Sequence, residues 1–146
     1  MDVEFKLDST QTTPKITVTA NQLTDEVRDL LLRLEHGRPT AITALKGGQV
    51  VLLAPEHILR FFADGKNVSV QTAEDTFTVR ERLYELEGLL DPHKFVRISH
   101  SEIVNLSHIT ALDLSLSGTI RMTLTGDVSC FVSRRSLKKI KQALNL

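Results

Sequence analysis

The sequence predicts an α+β fold made mostly of antiparallel β-strands. Three observations carry that expectation. Short apolar runs recur through the chain from Val50 onward. Gly- and Asp-containing turn signals separate them at regular intervals. Only three stretches space their apolar residues as a helix does. Apolar residues make up 41% of the chain and charged residues 25%, ordinary proportions for a globular protein.

Residues 2–7, DVEFKL, alternate apolar and polar, which predicts a half-buried strand. Ser9 to Pro14 reads as a polar turn, and Ile16 to Val18 begins a second strand. A helix follows. Thr24 is a good N-cap, Asp25 and Glu26 suit the first-turn dipole, and Val27, Leu30, Leu31 and Leu34 form one stripe. Gly37 and Pro39 end it, and Ala41 to Leu45 predicts another strand. Residues 1–45 therefore read as a β-β-α-β extension, small for an independent core and suited to docking or dimerisation.

From Lys46 the texture changes. Gly47-Gly48 is a turn, and Val50 to Leu53 lacks alternation, which predicts a strand buried on both faces. Pro55 to His57 predicts one helical turn. Ile58 to Ala63 and Val68 to Thr72 predict a hairpin around Asp64-Gly65-Lys66-Asn67. Thr76 to Val79 is a further strand. Residues 80–90 predict a helix with Leu83, Leu86 and Leu90 on one face and Thr78 as its cap. Asp91-Pro92 stops it. Strands are then expected at Phe95 to Ile98, Ile109 to Leu114, Ile120 to Leu124 and Val128 to Val132, divided by Gly118 and by Gly126-Asp127. A last helix, 134–145, is capped by Ser133 and buries Leu137, Ile140 and Leu144.

Several function classes find no support. No apolar run approaches the ~20 residues of a membrane helix. The acidic, alternating N-terminus is not a secretory signal, and the expected compartment is the cytoplasm. Cys130 is the single cysteine and reads as a buried thiol. None of the five histidines pairs with another at i, i+4 beside a Glu, and no CxxC occurs, so no metal is expected. Ser99-His100-Ser101 sets hydroxyls beside an imidazole, but adjacent residues on an extended chain point apart, and no nucleophile elbow is present. Neither GxxxxGK[ST] nor GxGxxG occurs. No enzyme and no cofactor is expected.

Charge distribution is more informative than the net charge of zero. Residues 1–92 carry 10 basic and 15 acidic side chains, whereas residues 93–146 carry 8 basic and 3 acidic. The field that attracts phosphate lies on the C-terminal third. Arg134 and Arg135 fall in the first turn of the last helix, where the dipole disfavours cations. A phosphate or a base edge would offset that cost. Lys138 and Lys139 lie opposite the buried stripe, with Lys141 at its flank.

Phe95-Val-Arg-Ile-Ser-His-Ser-Glu-Ile-Val-Asn-Leu106, then Ile109, then Val132-Ser-Arg-Arg-Ser-Leu-Lys-Lys-Ile-Lys141, closely resembles the LytTR DNA-binding domain. The resemblance covers roughly residues 46–146, and the extension looks like that of small stand-alone LytTR regulators. The chain has no room for a receiver domain of ~100 or more residues as well. The resemblance implies an elongated, mostly antiparallel β fold that reads double-stranded DNA through strand-end loops at direct repeats in promoters. Carried over residue by residue, it assigns DNA contact to Ser99, His100, Ser101 and Asn105, to the hairpin loop Gly126-Asp127, and to Ser133, Arg134, Arg135, Lys138 and Lys139. Asn105 also reads as a buried amide tying the loop. The family's usual His-Arg/Lys pair is here Ser99-His100. An imidazole, whose charge changes near neutral pH, replaces a permanent cation. That departure implies weaker or pH-sensitive binding, with more of the readout on Arg134 and Arg135. The resemblance implies a transcriptional regulator acting as a homodimer or as two protomers. The alternative is an interaction module without DNA binding, regulating a partner such as a membrane sensor protein.

Overall fold

The computed structural model describes residues 2–114 and 120–146. The chain divides into two compact units, Met1–Glu35 and His36–Leu146.

The first unit holds one helix, α1 (Asp25–His36). It starts where the sequence predicts: Thr24 Oγ1 accepts the Val27 N–H at 3.2 Å. The two strands expected upstream differ from the structure, because residues 2–24 carry no strand. A strand is stable only when a neighbour satisfies its backbone groups. Here the alternating side chains Val3, Phe5 and Leu7 are 84–89% exposed. Between the two segments Asp8 forms a side-chain-stabilised turn, accepting from the Thr10 N–H and hydroxyl.

The second unit opens with β1 (Ile42–Lys46), β2 (Gln49–Leu53), β3 (Ile58–Asp64), β4 (Asn67–Thr72) and β5 (Thr76–Val79). Helix α2 (Leu83–Leu89) follows, then β6 (Phe95–Ser99), β7 (Glu102–Asn105), β8 (Ile109–Asp113), β9 (Ile120–Leu124), β10 (Val128–Val132) and α3 (Arg134–Ala143). Single 3₁₀ turns, Pro55–His57 and Leu106–His108, precede β3 and β8. Seven strands form one antiparallel sheet in the order β2-β1-β5-β4-β3-β7-β6, and three form a second in the order β10-β9-β8. The fold class is the α+β, mostly antiparallel one that the sequence predicts. The turn expected at Gly118 lies outside the described residues.

Strands β3, β6 and β7 are buried on both faces, which is why two cores meet there. On one face Ile58, Phe61, Phe95 and Ile103 pack with Val68, Val70 and the α2 stripe Leu83, Leu86 and Leu90. Phe61 and Phe95 meet in a tilted ring pair, centroids 6.0 Å apart. On the other face Leu59, Val96, Ile98 and Val104 pack against Met122, Leu124, Cys130 and Val132 of the small sheet and Ile140 of α3. Each such side chain contributes about 1.5–3 kcal/mol on burial.

Three sequence expectations need correction. β2 is an edge strand, not a doubly buried one, and leaves Val50 and Leu52 about two-thirds exposed. α2 begins at Leu83 rather than near Thr78, because Thr78 pairs inside β5; the Arg82 N–H is met instead by Glu85 Oε1 at 3.1 Å. β7 was not expected, since its apolar run is only Ile103-Val104; pairing to both β3 and β6 makes it a strand.

Cys130 is buried as expected, with Arg60 Nη1 3.7 Å from its sulfur. Burial first, and then the neighbouring Glu102 carboxylate, push its thiol up to about 12. The native protein should therefore react with iodoacetamide at pH 8 at least about a hundredfold more slowly than the urea-unfolded chain. Equal rates would show that this core is open.

Candidate nucleic-acid interface

The β6–β7 connection is short. Ser99 ends β6, Glu102 starts β7, and the register shifts between Arg97 and Ser99. His100 and Ser101 form the exposed turn. With neither Gly nor Pro in it, the turn takes its shape from hydrogen bonds. Arg97 Nε donates to Ser99 O at 2.9 Å, and Arg97 Nη2 donates to His100 O. Its remaining nitrogen, Nη1, lies 2.6 Å from Glu87 Oε1 on α2. Ser99 Oγ accepts the Ser101 N–H at 3.2 Å. Just beyond the turn, Arg60 pairs with Glu102 at 3.1 Å, donates to Gln71 Oε1 and stacks over the Phe62 ring. Glu87 and Glu102 are thus each paired with an arginine.

Two backbone bonds bring other elements to this turn. The Ser133 N–H donates to Ile98 O at 2.8 Å, which sets the start of α3 beside the end of β6. Ser133 caps α3 as expected, its Oγ accepting the Ser136 N–H at 3.3 Å. Arg134, Arg135, Lys138 and Lys139 are all exposed, and Ile140 lies buried beneath. The Ala63 N–H donates to Ser101 O at 2.8 Å, which places the β3–β4 turn next to His100. That turn carries Lys66 and Asn67, and Arg82 Nη1 donates to Lys66 O at 2.9 Å.

So Ser99, His100, Ser101, Ser133, Arg134 and Arg135 come together. Gly126 and Asp127 do not join them. They cap the β9–β10 hairpin at the other end of the five-residue strand β10, roughly 20 Å along the chain from Ser133. Both have positive φ, as a tight hairpin requires. Neighbouring Thr125 bonds to His108, whose Nε2 reaches Glu56 O at 2.7 Å.

Asn105 also lies away from the turn, at the far end of β7. It is 3% exposed, and both ends of its amide are bonded. Nδ2 donates to Pro55 O and Ile58 O at 3.3 and 2.9 Å, and Oδ1 accepts the Ser107 N–H at 3.0 Å. These bonds tie the Asn105 amide to the Pro55–Ile58 segment and to Ser107. Lys66, Asn67 and Arg82 are the neighbours that sequence reasoning missed. The hairpin turn itself was legible, but its position depends on β3 pairing with the unexpected strand β7.

The model of the LytTr DNA-binding domain matches residues 48–145. The chain belongs to the LytTR family. An HTH-type transcriptional regulator of Staphylococcus aureus strain NCTC 8325 / PS 47 is 31% identical over 147 residues, covering 100% of this chain and 99% of that protein. A counterpart from strain MSSA476 matches to the same extent. The LytTr DNA-binding domain of a methyl-accepting/DNA response regulator from Bacillus cereus superposes with a TM-score of 0.70 at 23% identity. It covers 74% of this LytTR chain and 99% of its own. Here α2 and α3 are separated by five strands, so these two helices do not form a helix-turn-helix.

If Asn105 serves the frame, Asn105→Ala should cost about 2–3 kcal/mol by leaving two buried carbonyls and an N–H unpaired. Urea unfolding measures this. DNA affinity of the folded fraction should stay within about twofold of wild type. A large affinity loss at unchanged stability would make Asn105 a contact.

Proposed function

We propose that this protein is a transcriptional regulator that reads double-stranded DNA with one end of its large sheet. The observation that carries the reading is the convergence of the β6–β7 turn, the β3–β4 turn and the start of α3. Together they offer hydroxyls, an imidazole, amides and cations on one surface. Membership of a DNA-binding domain family and the names of the S. aureus relatives support the same reading. Phosphate contacts by Lys138, Lys139 and Lys66 supply affinity, and base contacts by Arg135 and the Ser99–Ser101 turn supply specificity. The free N–H groups at the start of α3 suit a phosphate and offset the cost of placing Arg134 and Arg135 there. Two protomers would then occupy paired half-sites on the duplex.

The proposed second protomer has a candidate contact in residues 2–8, DVEFKLD. Paired antiparallel about Phe5, two copies set Glu4 opposite Lys6 of the second copy, Val3 opposite Leu7, and Phe5 opposite itself. The Glu4–Lys6 and apolar pairs favour this register and outnumber the like-charged Asp2–Asp8 pairs at its ends. The exposed Ile16, Leu31 and Leu34 add the apolar area that a lone two-stranded ribbon lacks.

Fluorescence anisotropy on a duplex from the protein's own promoter tests the DNA reading. Arg135→Ala should cost about 1–3 kcal/mol, and wild-type affinity should fall steeply between about 50 and 200 mM salt. Salt-indifferent binding, or no loss in an Arg134→Ala/Arg135→Ala variant, would sink it. For the dimer, Phe5→Cys should form an intermolecular disulfide under mild oxidation while Lys6→Cys does not. Equal cross-linking by both, or by neither, rejects the register; buried Cys130 does not compete.

A further inference from the structure

We infer that Glu87 and Arg97 are positioning residues for DNA binding, holding the Ser99–Ser101 turn in its contact shape without touching DNA. The inference rests on the DNA-binding reading above. Three successive carbonyls of the turn are tied inward. Ser99 O and His100 O accept from Arg97, and Ser101 O accepts from Ala63. With its carbonyls held, the turn leaves His100 and Ser101 exposed. Inward carbonyls also keep negative dipole ends away from an approaching phosphate.

Arg97 suits this task because its guanidinium is a planar fork with donors on three nitrogens. Nε and Nη2 go to the carbonyls, and Nη1 goes to Glu87. The Arg97 side chain is 21% exposed and that of Glu87 43%. Glu87 thus anchors the fork from α2, a helix fixed in the core by Leu83 and Leu86. A lysine could meet one carbonyl but not two and the carboxylate in one plane.

Electrostatics and positioning predict opposite signs at Glu87. Removing an acidic side chain near a DNA-facing surface strengthens binding if charge alone matters. It weakens binding if Glu87 orients Arg97. The test is anisotropy on the promoter duplex for wild type, Glu87→Ala, Arg97→Lys, Arg97→Ala and Arg135→Ala, with thermal melts to establish folding. We expect Glu87→Ala to bind roughly 3- to 10-fold more weakly and Arg97→Lys roughly tenfold or more, from loss of charge-assisted, bidentate bonds. The slope of log affinity against log salt should match wild type in Arg97→Ala; a phosphate contact would lower it by about 0.9. Amide exchange at His100 and Ser101 should also quicken in Glu87→Ala without DNA. Tighter or unchanged binding by Glu87→Ala, or a reduced slope in Arg97→Ala, overturns the inference while Arg135→Ala still weakens binding. If wild type and Arg135→Ala bind alike, the DNA reading itself has failed, and the exchange rates alone decide whether Glu87 holds the turn.

Discussion

Two backbone hydrogen bonds organise the end of this molecule proposed to face DNA. The Ser133 N–H reaches Ile98 O, and the Ala63 N–H reaches Ser101 O. The first joins the small sheet and α3 to β6. The second joins the β3–β4 hairpin to the β6–β7 turn. Residues from positions 63 to 135 thereby meet on one surface. Both bonds lie beside β6 and β7, strands that pack against a core on each face.

The same geometry separates the frame from the proposed contact surface. At one end of β6 and β7 the side chains are exposed, hydroxylic or basic. At the other end polar groups are consumed internally. Asn105 ties Pro55, Ile58 and Ser107 together, and His108 links Thr125 to Glu56. The arginines divide in the same way. Arg60 and Arg97 are paired with Glu102 and Glu87 and shape the turn from below. Arg134 and Arg135 stand on the exposed first turn of α3. A count of positive charges would not distinguish these roles; burial and partners do.

Much of the fold was legible in the sequence because most elements are bounded by strong local signals. Ser133 and Thr24 cap helices as their residue types require, and β9 and β10 begin and end where the apolar runs do. What escaped was set by distant pairing. β7 has too few apolar residues to announce itself, and β2 looks internal by composition although it lies at the edge. The alternation of residues 2–7 signals a strand, yet none of the described residues pairs with it. The contact surface followed the same rule. The Ser99–Ser101 turn and Arg134-Arg135 were visible as a motif. That Lys66 and Asn67 join them, and that Gly126 and Asp127 do not, depends on which strand ends meet.

The central claim is that one end of the large sheet faces DNA. Backbone amide chemical shifts, recorded with and without a promoter duplex, test it most directly. The account predicts that the largest changes fall at residues 63–67, 99–101 and 133–139, with little change at Gly126, Asp127 and His108. Changes centred on Gly126, Asp127 and His108, with the β6–β7 turn unmoved, would contradict it.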